Sequence, residues 1–260
     1  MLSVTQFLAL LTTALLAAAH ATQPKTNDGY TPTTVPNGGT IVGVVTYDGP
    51  TPERRPIDVA TKEEVCHKDP IYSEKLVVSE DNGLRWAVVS IAEINTGKPF
   101  PDPENPDTRP TLDQKGCTFS PHVVVVPRQQ PLTILNSDGV LHNVHTWSRR
   151  NRAKNVAMPG MIKEMTLKFR RTETIRVTCD IHPWMEAWIV ITDHPYHAVT
   201  DEIGAFRLTD VPPGTYVLRM WHESFGPMEK EITVRIDEET RVTFALSKAD
   251  RLKEGNKNGQ

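Results

Sequence analysis

Short runs of β-branched and aliphatic residues, each closed by turn residues, set the fold class of this chain. Thr40 to Tyr47 stops at Asp48-Gly49-Pro50, and Lys75 to Ser79 stops at Asp81-Asn82-Gly83. Leu84 to Ile94, His122 to Val126 and Leu132 to Leu135 follow, the last closed by Asn136-Ser137-Asp138-Gly139. Met165 to Phe169 and Thr174 to Thr178 alternate apolar and polar residues, as does Thr240 to Leu246. That period of two is the pattern of a half-buried strand. No stretch of similar length carries a helical period. The 21 prolines cluster between the runs, where turns and strand ends accept them. The expectation is an all-β chain, and 260 residues suffice for one or two domains.

The formal net charge of -3, without a long block of one sign, argues against a nucleic-acid binder and a polybasic membrane anchor. Phe7 to Ala19 is apolar but too short to span a bilayer, and Ala19-His20-Ala21 fits a small-x-small cleavage pattern. Residues 1–21 are therefore expected to be a signal peptide, and the mature protein to be periplasmic or secreted. Residues 22–38, rich in Thr, Pro and Gly, read as a flexible leader, and 248–260 as a frayed charged tail. Asn95 to Asp113, dense in Pro, Asp and Asn, reads as a long mobile surface insertion. Outside the cytosol, cysteines tend to pair. Of the three, Cys66 and Cys117 are the simplest disulfide; the competing arrangement makes them a second thiolate site with His67.

The third cysteine lies in the stretch with the most chemistry. Cys179-Asp180-Ile181-His182-Pro183-Trp184-Met185 puts a thiol, an imidazole and a thioether within seven residues. Such donors suit copper, and a blue-copper site needs one further histidine. His142, just after the polar turn at 136–139, is the candidate. Zinc also accepts Cys and His, but it would leave the thioether without a role. His145 follows His142 by three residues, so in a strand it faces the opposite way. His122, His194, His197 and His222 are read as interdomain and surface positions, with a second metal site as the rival. No local catalytic triad, phosphate-binding glycine loop or nucleotide motif is present.

Leu141-His142-Asn143-Val144-His145, followed by Cys179-Asp180-Ile181-His182-Pro183-Trp184-Met185, resembles the cupredoxins, and within them the amicyanin-like blue copper proteins. The resemblance covers about Pro121 to Thr192 and implies a Greek-key β-sandwich holding one copper ion. It implies His142, Cys179 and His182 as equatorial ligands and Met185 as the long axial ligand. Asn143 would brace the ligand loops, and Pro183 and Trp184 would form an apolar skirt around His182. It further implies one-electron transfer, with a redox partner protein docking near His182, and no enzymatic activity or small-molecule substrate. Val177 departs from the family, where an aromatic residue commonly sits two before the cysteine. Asp180 and Glu186 also depart, as carboxylates close enough to lower the potential or add a hard donor.

Thr200-Asp201 to Phe206 and Pro212-Pro213-Gly214-Thr215-Tyr216 resemble the carboxypeptidase regulatory-like, or transthyretin-like, β-sandwich, whose implied role is structural or adhesive. The expected order is tandem: a copper domain at 39–192, then a smaller sandwich at 193–247. Gly43 to Gly49 fits the opening strand of such modules, so the alternative inserts the copper domain into the sandwich. Two other functions stay open beside electron transfer. One is a copper carrier or storage protein; the other is a cell-surface binding or scaffolding module with a structural copper site.

Overall fold

The computed structural model describes residues 29–252, so the expected signal peptide and the end of the tail lie outside the described residues. The described chain is all-β, as expected, with two short 3-10 turns at Glu64–His67 and Lys248–Asp250. None of its helices is long and apolar enough to cross a membrane.

Four sheets form two sandwiches, each around its own core. In the first, a five-stranded sheet runs in the spatial order Lys154–Met158, His142–Trp147, Glu173–Thr178, Glu186–Thr192, Val123–Pro127. Its companion runs Glu164–Lys168, Pro131–Asn136, Thr111–Lys115, Thr118–Ser120. Between them lie Leu112, Phe119, Ile134, Val144, Ile175 and Ile189, all buried. The alternation read in Thr174 to Thr178 is realised here: Ile175 and Val177 point inward, while their neighbours are only half-buried.

The second sandwich has a four-stranded sheet in the order His197–Val199, Val88–Ile91, Gly214–His222, Gly226–Val234. Opposite it is a three-stranded sheet, Ala205–Val211, Gly39–Asp48, Glu239–Ser247. Ile41, Val45, Leu84, Leu218 and Phe244 fill this core at full burial.

The tandem order is therefore corrected. Gly39–Asp48 pairs antiparallel with Ala205–Val211 and parallel with Glu239–Ser247, and Val88–Ile91 pairs with Gly214–His222. Both early strands belong to the C-terminal sandwich, and the first-described sandwich is inserted. The close fit at Gly43 shows why this pairing is specific: a Cβ there would lie 2.0 Å from the Val242 carbonyl oxygen and 2.6 Å from the Phe206 ring. The chain also makes an earlier excursion, since Ile57, Val65, Cys66 and Ile71 pack on the core of the inserted sandwich before Leu76 and Val78 return to the other.

Two further expectations change. The leader is structured from residue 29 onward: Tyr30 is buried, its hydroxyl donates to the Lys98 carbonyl at 2.6 Å, and its ring meets Phe100 edge-on. Thr31–Pro32 also pairs with Thr96–Gly97. The Pro-rich stretch is anchored at both ends, since Phe100 packs on the second core and Thr111–Lys115 is an inner strand of the first, while most of the residues between are exposed. A single buried aromatic supplies the apolar area that these polar stretches otherwise lack.

Candidate metal centre

Three chain segments converge at one end of the first sandwich. The turn at 136–139 is held by Asn136, whose side-chain amide donates to the carbonyls of Val140 and Met158 at 2.9 Å each. The neighbouring loop packs closely on it, since a Cβ at Gly160 would meet the Gly139 carbonyl oxygen at 1.9 Å. This turn delivers His142 as the first residue of an inner strand. Cys179 follows directly on Glu173–Thr178, the next strand in the sheet. The loop after it closes on itself, with the Met185 amide donating to the His182 carbonyl at 2.9 Å and the Cys179 amide to the Met185 carbonyl at 3.3 Å.

Within this frame the Nδ1 atoms of His142 and His182 stand 2.9 Å apart, and Cys179 Sγ lies 3.8 Å from His182 Nδ1. All three side chains are buried. Met185 is buried in the same apolar cluster as Cys179. Asn143 links the segments: its Oδ1 accepts from the Asp180 amide at 2.6 Å, and its Nδ2 donates to Asn155 Oδ1 at 2.6 Å.

The outward nitrogens have partners of their own. His142 Nε2 donates to Asp138 Oδ2 at 2.9 Å, and this carboxylate also accepts from the amides of Gly116 and Cys117. Burial alone would raise the Asp138 carboxyl, but the bonds from His142, Cys117 and Gly116 outweigh it and hold it below its ordinary value. Burial works against protonation of His142, yet the bonds to Asp138 and Cys179 push it up to about 9. Burial also opposes the Cys179 thiolate, but the bond from His142 and the amides of Asn143, His182 and Ile181 lower the thiol. Burial and the facing His142 lower His182. The two shifts oppose each other across one contact, the thiol lowered and the imidazole raised. Two inward Nδ1 atoms, one thiolate-prone sulfur and a buried thioether fit a copper ion.

The sequence missed Asp138, read only as turn chemistry. An acid four residues before the candidate ligand was the available signal. The two suspect carboxylates are engaged elsewhere. Asp180 accepts from Asn143, His145 and Asn155, and Glu186 pairs with Arg176 and Lys75. Neither carboxylate is in any of the described groups of three or more candidate donor atoms that lie within 4.8 Å of one another.

Cys66 and Cys117 form the expected disulfide, while His67 is exposed and bonded to the Thr61 carbonyl. The disulfide sits against the site: Cys66 Sγ is 4.0 Å from His182 Nε2, and Trp184 Nε1 donates to the Cys117 carbonyl at 2.9 Å. His182 is 0% exposed beneath it. The imidazole edge expected to receive a partner is therefore covered, with Asp180, Ile181 and Pro183 the exposed members of the loop.

The remaining histidines do not converge. His122 bonds Glu223 across the seam between the sandwiches and the Glu186 carbonyl within its own. The Tyr196 amide donates to His194, the Ser224 amide donates to His222, and His197 bonds the His194 carbonyl. His194 and His222 are buried rather than at the surface.

The model of the carboxypeptidase regulatory-like domain matches residues 176–247. That match begins inside the five-stranded sheet of the inserted sandwich, since 176–192 pairs there, and runs to the end of the second sandwich. Among solved structures, the chain is similar to a purple cupredoxin from Nitrosopumilus maritimus, with 16% identity over 32% of this chain and 99% of that one, at a TM-score of 0.28. A reduced amicyanin variant shows 22% identity over 40% of this chain and 98% of that one, with a TM-score of 0.30. A Cu-containing nitrite reductase from Thermus scotoductus SA-01 shows 16% identity over 40% of this chain but only 25% of the reductase, with a TM-score of 0.31. A search of curated proteins returned no significant match. Both resemblances carried by the sequence, cupredoxin and carboxypeptidase regulatory-like, recur in these comparisons.

Proposed function

We propose that this protein holds one type 1 copper ion and carries single electrons between partner proteins outside the cytoplasm. The observation that carries this reading is the buried convergence of His142 Nδ1, His182 Nδ1 and Cys179 Sγ. These three would hold the metal, with Met185 as the weak axial donor. When bound, copper supplies a Cu(II)/Cu(I) couple whose potential responds to the thioether and to hydrogen bonds around the thiolate.

The chain's own residues prepare that couple. Asp138 accepts a hydrogen bond from the Nε2–H of His142, which keeps that proton on Nε2 and leaves the Nδ1 lone pair pointing inward. Asn143 joins the strand that carries His142 to the residue after Cys179, so the two ligands are held as one unit. The disulfide and Trp184 exclude water from His182. Four protein donors leave no open metal position, so the proposed role is electron carriage rather than catalysis. An oxidised Cys66–Cys117 pair accords with export.

Titration of the purified protein with Cu(II) tests this. The expected result is an intense thiolate charge-transfer band in the visible at one copper per chain. A colourless protein with Cys179 still reduced overturns the reading. Zinc bound in the same cage would also give no colour, and metal analysis separates that case from an empty one.

A further inference from the structure

With His182 covered, electrons need another way in, and the flanks of Cys179 offer one. Thr178 Oγ1 accepts from Trp147 Nε1 at 2.9 Å, and Asp180 Oδ1 bonds His145 Nδ1 at 2.9 Å. Both neighbours of the cysteine therefore lead to the same pair of rings. His145 and Trp147 are stacked, with centroids 4.2 Å apart and planes 20° apart. Trp147 is 52% exposed, an unusual setting for a large aromatic ring.

The surface beside this pair is strongly basic. From Trp147 to Arg176 the chain has nine Lys and Arg against two Asp and Glu, a net of +7. The whole chain is at -3, so the remainder carries -10. Two turns bring the charges together. Glu173 accepts from the amides of Arg149, Arg150 and Asn151, while Asn151 Oδ1 accepts from the amides of Arg170 and Arg171. Arg149, Arg150, Arg152, Arg170 and Arg171 are exposed around these turns. Glu173 is turned inward onto amides, and Asp180 is occupied by Asn143, His145 and Asn155.

We infer that this face is the docking surface for an acidic redox protein, with Trp147 the contact through which the electron reaches Cys179. The inference rests on the electron-carrier reading above. An exposed ring joined to both flanks of the thiolate has a use in electron exchange, and a clustered positive charge selects an acidic partner and speeds its encounter. An anionic membrane or a nucleic acid would use the charge but not the link to Cys179. The exchange moves one electron and no atoms: the partner loses or gains one, and the Cu(II)/Cu(I) couple balances it.

Two measurements on the full chain test it. In the metal-free protein, the inert paramagnetic trianion hexacyanochromate(III) should broaden the Trp147 indole resonance and the amides of Arg149 to Arg171. In the copper-loaded protein, reduction by hexacyanoferrate(II) should slow about fivefold or more between about 10 mM and about 300 mM salt. The overall charge of -3 predicts the opposite sign for an anion that reacts elsewhere on the molecule. Reversing Arg149, Arg150 and Arg171 to Glu should invert the salt dependence, and Trp147→Leu should slow the reaction about tenfold with the visible band intact.

Rates that rise with salt in a protein with its band intact overturn the docking face alone. So does broadening centred on Pro183. Binding to phosphatidylserine vesicles or duplex DNA that the Glu variants abolish, with hexacyanoferrate rates unchanged, overturns it in favour of those partners. A missing band with broadening at Trp147 overturns the electron-carrier reading and leaves an anion-docking face.

Discussion

The two sandwiches each bury a histidine almost completely, and the two are driven in opposite directions. His142 is 0% exposed and pushed up to about 9; His222 is 1% exposed and pushed down to about 3. Burial lowers both. The difference is in the acceptors. Asp138 and Cys179 face His142, whereas His222 lies against Phe225, its Nδ1 accepts the Ser224 amide, and a backbone bond with Arg85 does not offset its burial. Burial by itself makes a histidine a core residue. Facing acidic groups, as at His142, make it a candidate ligand.

The largest expected effect separates the units outright. Cys179→Ser should abolish the thiolate band of the copper-loaded protein while the far-ultraviolet circular dichroism of both sandwiches persists. Loss of both signals would mean that the site and the fold are not separable. Next comes the Cys66→Ser, Cys117→Ser pair. With a sequence separation of 51 between the cysteines, the chain-entropy estimate gives a loss of about 4 kcal/mol, measured by urea unfolding followed through tryptophan fluorescence. Phe244→Ala should cost a similar amount, about 3–5 kcal/mol, on the other core, and leave the visible spectrum unchanged.

The pH response is smaller and has a definite sign. The folded value of His222 lies below its unfolded value of about 6.5, so the unfolded chain takes up the proton first. The stability contributed by neutral His222 is complete above about pH 6.5 and falls by about 1.4 kcal/mol per pH unit on the way down to about 3. His222→Gln should flatten that part of the stability curve. An unchanged acid limb would show that His222 is not held neutral. Smallest is Glu173→Gln. Burial opposes the Glu173 carboxylate, but bonds from Ser148, Arg149, Asn151 and Arg150 bring it down to about 2. Its contribution is present above about pH 4.5 and is lost as the pH falls through about 2. The exposed setting limits the loss at neutral pH to about 1 kcal/mol, so the variant and the parent should converge in acid.

The candidate site was legible because most of it is local. Cys179, His182 and Met185 share seven residues, and a ligand loop that short has few ways to fold. Most strands were equally plain, since alternation in segments such as Thr174 to Thr178 is set by which face is wet. What could not be read was which sheet each strand would join. Gly39–Asp48 finds Glu239–Ser247 across almost the whole described chain, and the fit that specifies it, Gly43 beneath Phe206, is visible only once the two are together. The cover on His182 was hidden for the same reason, because Cys66 lies 116 residues away from it. Asp138 was in view, but a turn of Asn, Ser, Asp and Gly explains itself without further purpose.

The pairing of the first long strand with the last has a consequence for how this molecule is made. A chain that emerges N-terminus first exposes Gly39–Asp48 long before either neighbour exists. Its edge stays open while the inserted sandwich, whose strands all lie between Thr111 and Thr192, can assemble behind it. The inserted unit can therefore finish while its host is still waiting, and the open edge is an invitation to other chains in the meantime. Shortening the C-terminus before Glu239 would make that waiting period permanent.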